Sequence, residues 1–116
     1  MERVVFVYTT YPSVVEAEKA GRALLERELT ACVNILPGMV SLYRSQGTVE
    51  RGEEAVMIIK TRASLAEAVC AAVKDMHSYA APAILVIPIE SVDQTYLAWI
   101  LAETEGGKPG APPGCG

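Results

Sequence analysis

The sequence predicts an α+β fold of βαββαβ order with a long central hairpin and one additional helix on its C-terminal side. Three observations carry this prediction: a strand–helix motif that recurs at one fixed offset, strands that are continuously apolar, and glycines that punctuate extended segments in the middle of the chain. The strand-like run Val4 to Tyr8 ends in Thr10, Ser13 and Glu16, and the run Val56 to Ile59 ends in Thr61, Ser64 and Glu67. Each member of the second trio lies 51 positions after its counterpart in the first. The same shift carries Pro37, which closes Ala31 to Leu36, onto Pro88, which follows Ala83 to Ile87. A strand, a helix start and another strand, written twice, is a doubled βαβ unit.

Each Ser-x-x-Glu segment reads as a capping box, in which the Ser side chain accepts from the third helical amide and the Glu reaches back to the cap amide. The first helix is expected from Val14 to about Leu29, with Gly21 inside it for close packing on the sheet. The second carries Leu65, Ala68, Val69, Ala72, Val73 and Met76 as one apolar stripe at helical spacing, with Cys70 off the stripe and His77 at its end. A third helix follows Asp93, an N-cap residue, and contains Tyr96, Leu97, Trp99, Ile100 and Leu101. Between the halves, Met39 to Tyr43 before Gly47 and Glu54 to Thr61 after Gly52 read as a long hairpin.

The chain has 116 residues, 51% of them hydrophobic and 21% charged, which suits one folded domain over residues 1–105. Residues 106–116 are mostly Gly and Pro and are expected to form a flexible tail carrying Cys115. No apolar stretch reaches the ~20 residues that span a bilayer. The N-terminal Met1 to Val5 leads directly into an apolar run, so the expected location is cytoplasmic with no membrane partner. A formal charge of −4 and a pI near 5.0 argue against a nucleic-acid partner, because affinity for nucleic acid comes mainly from cations facing phosphate. Cys32, Cys70 and Cys115 are odd in number and widely spaced, which suggests neither a disulfide framework nor a zinc site, and Cys32 is expected to be a buried inert thiol.

The strands also predict assembly. Val4 to Tyr8, Val56 to Ile59 and Ile84 to Ile87 do not alternate, and unbroken apolar runs signal burial on both faces of a sheet. Two right-handed βαβ units place both helices on the same side. The third helix is too short to cover the other side. At about 25 cal/mol per Å², leaving Val and Ile side chains wet forfeits on the order of 1.5–3 kcal/mol each. A second copy of the chain is expected to cover that face.

Catalytic chemistry is hard to find. Acid–base catalysis needs converging carboxylates or a His beside a nucleophile, and the one histidine, His77, has no evident Ser or Cys companion. There is no Gly-rich phosphate loop, no Cys-x-x-Cys and no Glu-x-x-His. A βαββαβ chain that binds RNA stacks bases on strand aromatics, whereas the central strand here offers Met57, Ile58 and Ile59.

Ala31 to Gly38, Ser41 to Tyr43, Met57 to Thr61, His77 to Tyr79 with Pro82, and Tyr96 to Trp99 together resemble the CutA family of divalent-ion tolerance proteins, over roughly residues 3–104. The resemblance implies a ferredoxin-like sandwich assembled as a homotrimer, cytoplasmic, associated with binding of and tolerance to divalent cations, copper among them. Two departures stand out. Ser45 occupies the place of a family Trp in the hairpin, and the family's copper-associated Cys and two adjacent His correspond here to Thr9, Met76 and His77. His77 is therefore the candidate metal ligand, set against the alternative of a group favoured by the dipole at a helix C-terminus. A single imidazole needs donors from neighbouring copies to complete a site. Tyr43, Lys60 and Tyr79 stand in matched motifs as candidates for an inter-subunit cleft. The expected function is weak binding of a divalent cation, copper foremost, without catalysis and with no required cofactor. The alternatives are a trimeric small-molecule sensor of nitrogen-regulatory type and an assembly scaffold with incidental metal binding.

Overall fold

The computed structural model describes residues 2–104 and 114–116. The element order is β1 (Val4–Tyr11), α1 (Val14–Glu26), β2 (Cys32–Ser45), β3 (Thr48–Arg62), α2 (Ala66–Met76), β4 (Ile84–Pro88) and α3 (Gln94–Glu103). One 3₁₀ turn, Ala63–Leu65, leads into α2. The four strands form an antiparallel sheet in the order β2-β3-β1-β4.

Strand parity sorts the sheet's two faces. Val7, Met57 and Ile59 point toward α1 and α2, where they join Ala17, Ala20, Leu24, Val69 and Val73 in the main core. Gly21 is required where α1 crosses the sheet: a Cβ there would meet Val33 Cγ2 at 3.0 Å and Met57 Sδ at 3.3 Å. On the other face, α3 covers only one end, burying Val4 and Cys32 under Leu97, Trp99 and Ile100. The rest of that face has no helix over it, and there Leu85 and Ile87 are 52% and 44% exposed. The apolar run in β4, expected to be buried on both sides, is thus open in the single chain.

The hairpin is longer than the sheet that supports it. β1 pairs with β3 only from Ala55 to Arg62, so Thr48 to Glu54 pair with β2 alone. The result is a two-stranded arm bearing exposed Val40, Leu42, Tyr43 and Val49. Its turn, Gln46-Gly47, has positive φ at both residues (51° and 85°), the geometry that matches the twist of the flanking strands. Pro37-Gly38 does not end β2. The ladder shifts register between Leu36 and Met39 and then continues, with Gly38 at φ 72°. Gly52, expected to interrupt the chain, lies within β3 opposite Ser41.

The two repeated helix starts diverge. Ser13 caps α1, its Oγ accepting from the Glu16 amide at 3.2 Å. Ser64 caps nothing: it lies in the 3₁₀ turn, α2 begins at Ala66 without a side-chain cap, and Ser64 Oγ donates instead to Glu2 at 2.7 Å. A carboxylate from the other end of the sequence has replaced the local capping bond. Helix α1 ends at Glu26, three residues before the expected Leu29, because Glu28 turns into the left-handed region at φ 57°. Asp93 caps α3 as its position predicted, accepting from the Thr95 and Tyr96 amides.

The expectation for the cysteines is corrected. Cys32 is not a free buried thiol, and Cys115 is not loose: the two form a disulfide across a sequence separation of 83, leaving Cys70 free. The expected flexible tail falls partly outside the described residues, at 106–113, but residues 114–116 lie against the sheet. The sequence carries no spacing signal for a bond between a strand and a Gly/Pro segment.

Candidate functional site

The arm and the sheet meet in a polar cluster built from segments far apart in sequence. β1 supplies Thr10, the arm supplies Ser41 and Glu54, and the loop after α2 supplies His77 and Tyr79. Glu54 is the hub. Its Oε2 accepts from Thr10 Oγ1 at 3.1 Å and from the Tyr79 hydroxyl at 2.9 Å, and its Oε1 accepts from Ser41 Oγ at 2.8 Å. Burial is the largest single influence on this carboxyl and would raise its pKa. The bonds from Ser41, Tyr79 and Thr10 outweigh it together, with His77 adding to the effect when its ring is charged, and hold the pKa below the usual carboxylate value. The Tyr79 hydroxyl answers in the other direction, pushed up to about 12 by burial first and then by its bond to Glu54 and that residue's charge.

His77 is the C-cap of α2, the end of a helix that favours positive charge. Its ring stacks on Tyr11 with centroids 4.2 Å apart and lies 4.8 Å from the Tyr79 ring. Both ring nitrogens are in use. Nδ1 accepts from the Tyr79 amide at 3.1 Å, and Nε2 lies 2.6 Å from the Thr10 carbonyl. The tautomer with hydrogen on Nε2 satisfies both contacts, since an acceptor carbonyl demands a donor. The loop is further anchored by Ser78, whose hydroxyl donates to Glu16 at 2.7 Å. Tyr11, fully buried beside His77, has its phenol pushed up to about 12 by burial and then by the Glu16 charge.

The cluster lines an open cleft of about 690 Å³ whose walls include Tyr8, Met39, Tyr43 and Tyr79. Of the residues singled out in the sequence, the structure thus brings Tyr43 and Tyr79 to one cleft, with His77 bonded to it through Thr10 and Tyr79. Lys60 is elsewhere on the sheet, its Nζ 5.8 Å from the Phe6 ring and 5.7 Å from the Tyr96 ring. Thr9 is buried with no partner for its hydroxyl among the described residues, and Met76 packs against the main core. Glu54 is the residue that sequence reasoning missed. The only signal was a carboxylate at the start of the apolar run Ala55 to Ile59, and this looks the same as a solvated strand end.

As a cation site the single chain is incomplete. Among the described residues, no three His, Cys, Asp or Glu side chains come together. Glu54 offers an ionised oxygen, but its hydroxyl partners already occupy it, and the His77 lone pair on Nδ1 is taken by the Tyr79 amide, which it would have to release to present that nitrogen to a metal. No described helix is long and apolar enough to cross a membrane.

A four-stranded antiparallel sheet with α1 and α2 over one face, α3 at one end of the other, a projecting arm and a tyrosine-walled polar cleft defines a small α+β protein. The chain belongs to the CutA1 divalent ion tolerance protein family, whose sequence model matches residues 5–103. It is 45% identical over 95 residues to the divalent-cation tolerance protein CutA of Archaeoglobus fulgidus, covering 82% of this chain and 92% of that one. It is 35% identical over 98 residues to mouse Protein CutA, covering 84% of this chain but only 55% of the longer mouse protein. The crystal structure of CutA1 from Oryza sativa superposes with a TM-score of 0.86 at 34% identity, covering 90% and 96% of the two chains.

Proposed function

We propose that the chain acts as a ferredoxin-like subunit of a cytoplasmic homotrimer that binds a divalent cation weakly, copper foremost, and catalyses no reaction. Glu54 carries the reading: its charge is maintained in an open cleft by Ser41, Tyr79 and Thr10 beside the one imidazole of the chain. Further donors come from neighbouring copies, since one chain supplies too few. In this reading His77 either coordinates through Nδ1 after giving up the Tyr79 amide or positions Tyr79 against Glu54. The assembly is supported by the open sheet face and by the arm, because a two-stranded hairpin alone is marginal in water. The family's description and the names of its relatives point to divalent-ion tolerance as the cellular setting.

Titration calorimetry of Cu²⁺ into the wild type, His77→Ala and Glu54→Gln tests the site. Both variants are expected to weaken binding on the order of tenfold or more; three equal affinities would sink the cation reading. Light scattering tests the assembly, and a mass at the 12.4 kDa of one chain would defeat it. The tyrosine-walled cleft of about 690 Å³ favours one second reading, a small-molecule sensor. That reading requires a metabolite to raise the melting temperature by mass action where Cu²⁺ does not.

A further inference from the structure

We propose that the Cys32–Cys115 disulfide is a reversible redox latch that holds residues 114–116 across Lys60 and Tyr96, and that its reduction uncovers this pair. Cys32 lies on the sheet face beside α3 and is 2% exposed, whereas Cys115 is partly accessible. The docked segment occupies both donors. The Tyr96 hydroxyl donates to the Cys115 carbonyl at 2.6 Å, and Lys60 Nζ donates to the Gly116 carbonyl at 2.7 Å. Lys60 Nζ and the Tyr96 hydroxyl are themselves 3.4 Å apart, and among the described residues no Asp or Glu side chain pairs with Lys60.

The bond makes the docking stable. The docked residues 114–116 are Gly-Cys-Gly, with little apolar surface to bury and a large backbone freedom to lose. Besides the disulfide, the seat has the two main-chain oxygen contacts, weak contacts of Cys115 Sγ with Asn34 and the Val33 carbonyl, and packing of the small Cys115 side chain beside the α3 cluster. These few contacts, each of modest net worth against water, are outweighed by the ordering cost once the covalent anchor is cut.

Opening proceeds by thiol–disulfide exchange with a dithiol. Its thiolate attacks the more accessible Cys115 Sγ, the sulfur–sulfur bond breaks, and Cys32 leaves as a thiolate that takes up a proton. The second thiol of the dithiol then attacks the mixed disulfide and releases Cys115 as a thiol. Two electrons and two protons pass to the protein, and the dithiol becomes a disulfide. Closure runs the same steps in reverse against a small disulfide.

The full chain is equilibrated with excess oxidised glutathione or excess dithiothreitol, then alkylated in denaturant and weighed. One alkylated thiol, Cys70, is expected in the first case and all three cysteines in the second. In parallel, an amine-acylating ester is applied to the folded protein. Lys60 should react severalfold faster after reduction, while the exposed Lys19 and Lys74 react at the same rate in both states. Cys115→Ser, which alters no buried core residue, should give the fast Lys60 rate in either buffer, and Cys70→Ser should still switch. Three thiols in the oxidised sample, or a Lys60 rate that ignores the redox state, would overturn the latch. So would a Cys115→Ser protein that keeps the slow rate.

Discussion

One strand, β3, runs through two environments. From Val56 to Lys60 it lies between two partner strands with α1 and α2 packed on one face, and Met57 and Ile59 are completely buried. From Thr48 to Glu54 it has β2 alone, no helix, and exposed apolar neighbours in Leu42 and Val49. The β2–β3 ladder runs on both sides of the bulge at the boundary, and the inner half adds a second ladder to β1. The larger difference is the side chain surface removed from water, which is the dominant favourable term in folding. The inner half gives the subunit its stability, and the outer half presents a surface. Glu54 stands at the junction, bonded at once to β1, to the arm and to the loop after α2.

The sharpest test of this contrast is Met57→Ala. Met57 is fully buried against α1, and emptying such a site costs about 2–5 kcal/mol through lost transfer energy and the cavity left behind. Chemical denaturation should show the midpoint falling accordingly. A loss below about 1 kcal/mol would mean that the inner half carries no more of the fold than an exposed position does.

The junction comes next in size. Glu54 is ionised more readily in the folded chain than in the unfolded one, so its stabilisation is complete above the usual carboxylate value of 4.5 and disappears as pH falls through the lower folded value. Tyr79 has the opposite sign. Its pKa rises from 10.0 to about 12, so its contribution is complete below pH 10.0 and is lost as pH climbs toward 12. Stability should therefore be flat with respect to both groups at neutral pH and decline at both extremes. Glu54→Gln should cost about 1–2 kcal/mol at neutral pH, since a charged acceptor is exchanged for a neutral one. It should also flatten the acid decline and shrink the alkaline one, because two causes of the Tyr79 shift are removed and the folded pKa moves back toward 10.0. Identical pH profiles for variant and wild type would show that the junction is not held by this carboxylate.

Much of the inner half was legible in the sequence, because periodicity and burial coincide there: the β1 and β3 runs and the Asp93 cap fall where spacing put them, as do Val69, Ala72 and Val73 of the α2 stripe, whereas Ala68 is exposed and Cys70, read as off the stripe, packs against the core. Local signals failed where a distant group intervened. Ser64 has the same pattern as Ser13, yet Glu2 takes its hydroxyl, and no window around Ser64 contains that information. Cys115 reads as an untethered tail residue because composition reports what a segment can bury by itself and not what it is bonded to. The site divides the same way. His77, Tyr43 and Tyr79 were found through their motifs, whereas Glu54 gains its meaning only from hydroxyls contributed by three separate segments. The β4 run announced burial that one chain does not provide.

The smallest expected effect separates the two halves most cleanly. Gly47 closes the arm at φ 85° with nothing near its missing Cβ, so Gly47→Ala adds backbone strain of about 1–2 kcal/mol without any steric clash. If the arm opens independently of the core, its amides exchange through a small local opening that the strain makes easier. Amide exchange should then accelerate about tenfold through Val40 to Val49 and stay nearly independent of added denaturant there, while exchange at Val7, Met57 and Ile59 remains slower and rises steeply with denaturant. Measured at one fixed protein concentration, a common rate and denaturant dependence for the arm and Met57 would show that arm and core open together. The contrast within β3 would then be one of exposure alone, and the arm would be part of the folding unit that the buried half had been credited with carrying by itself.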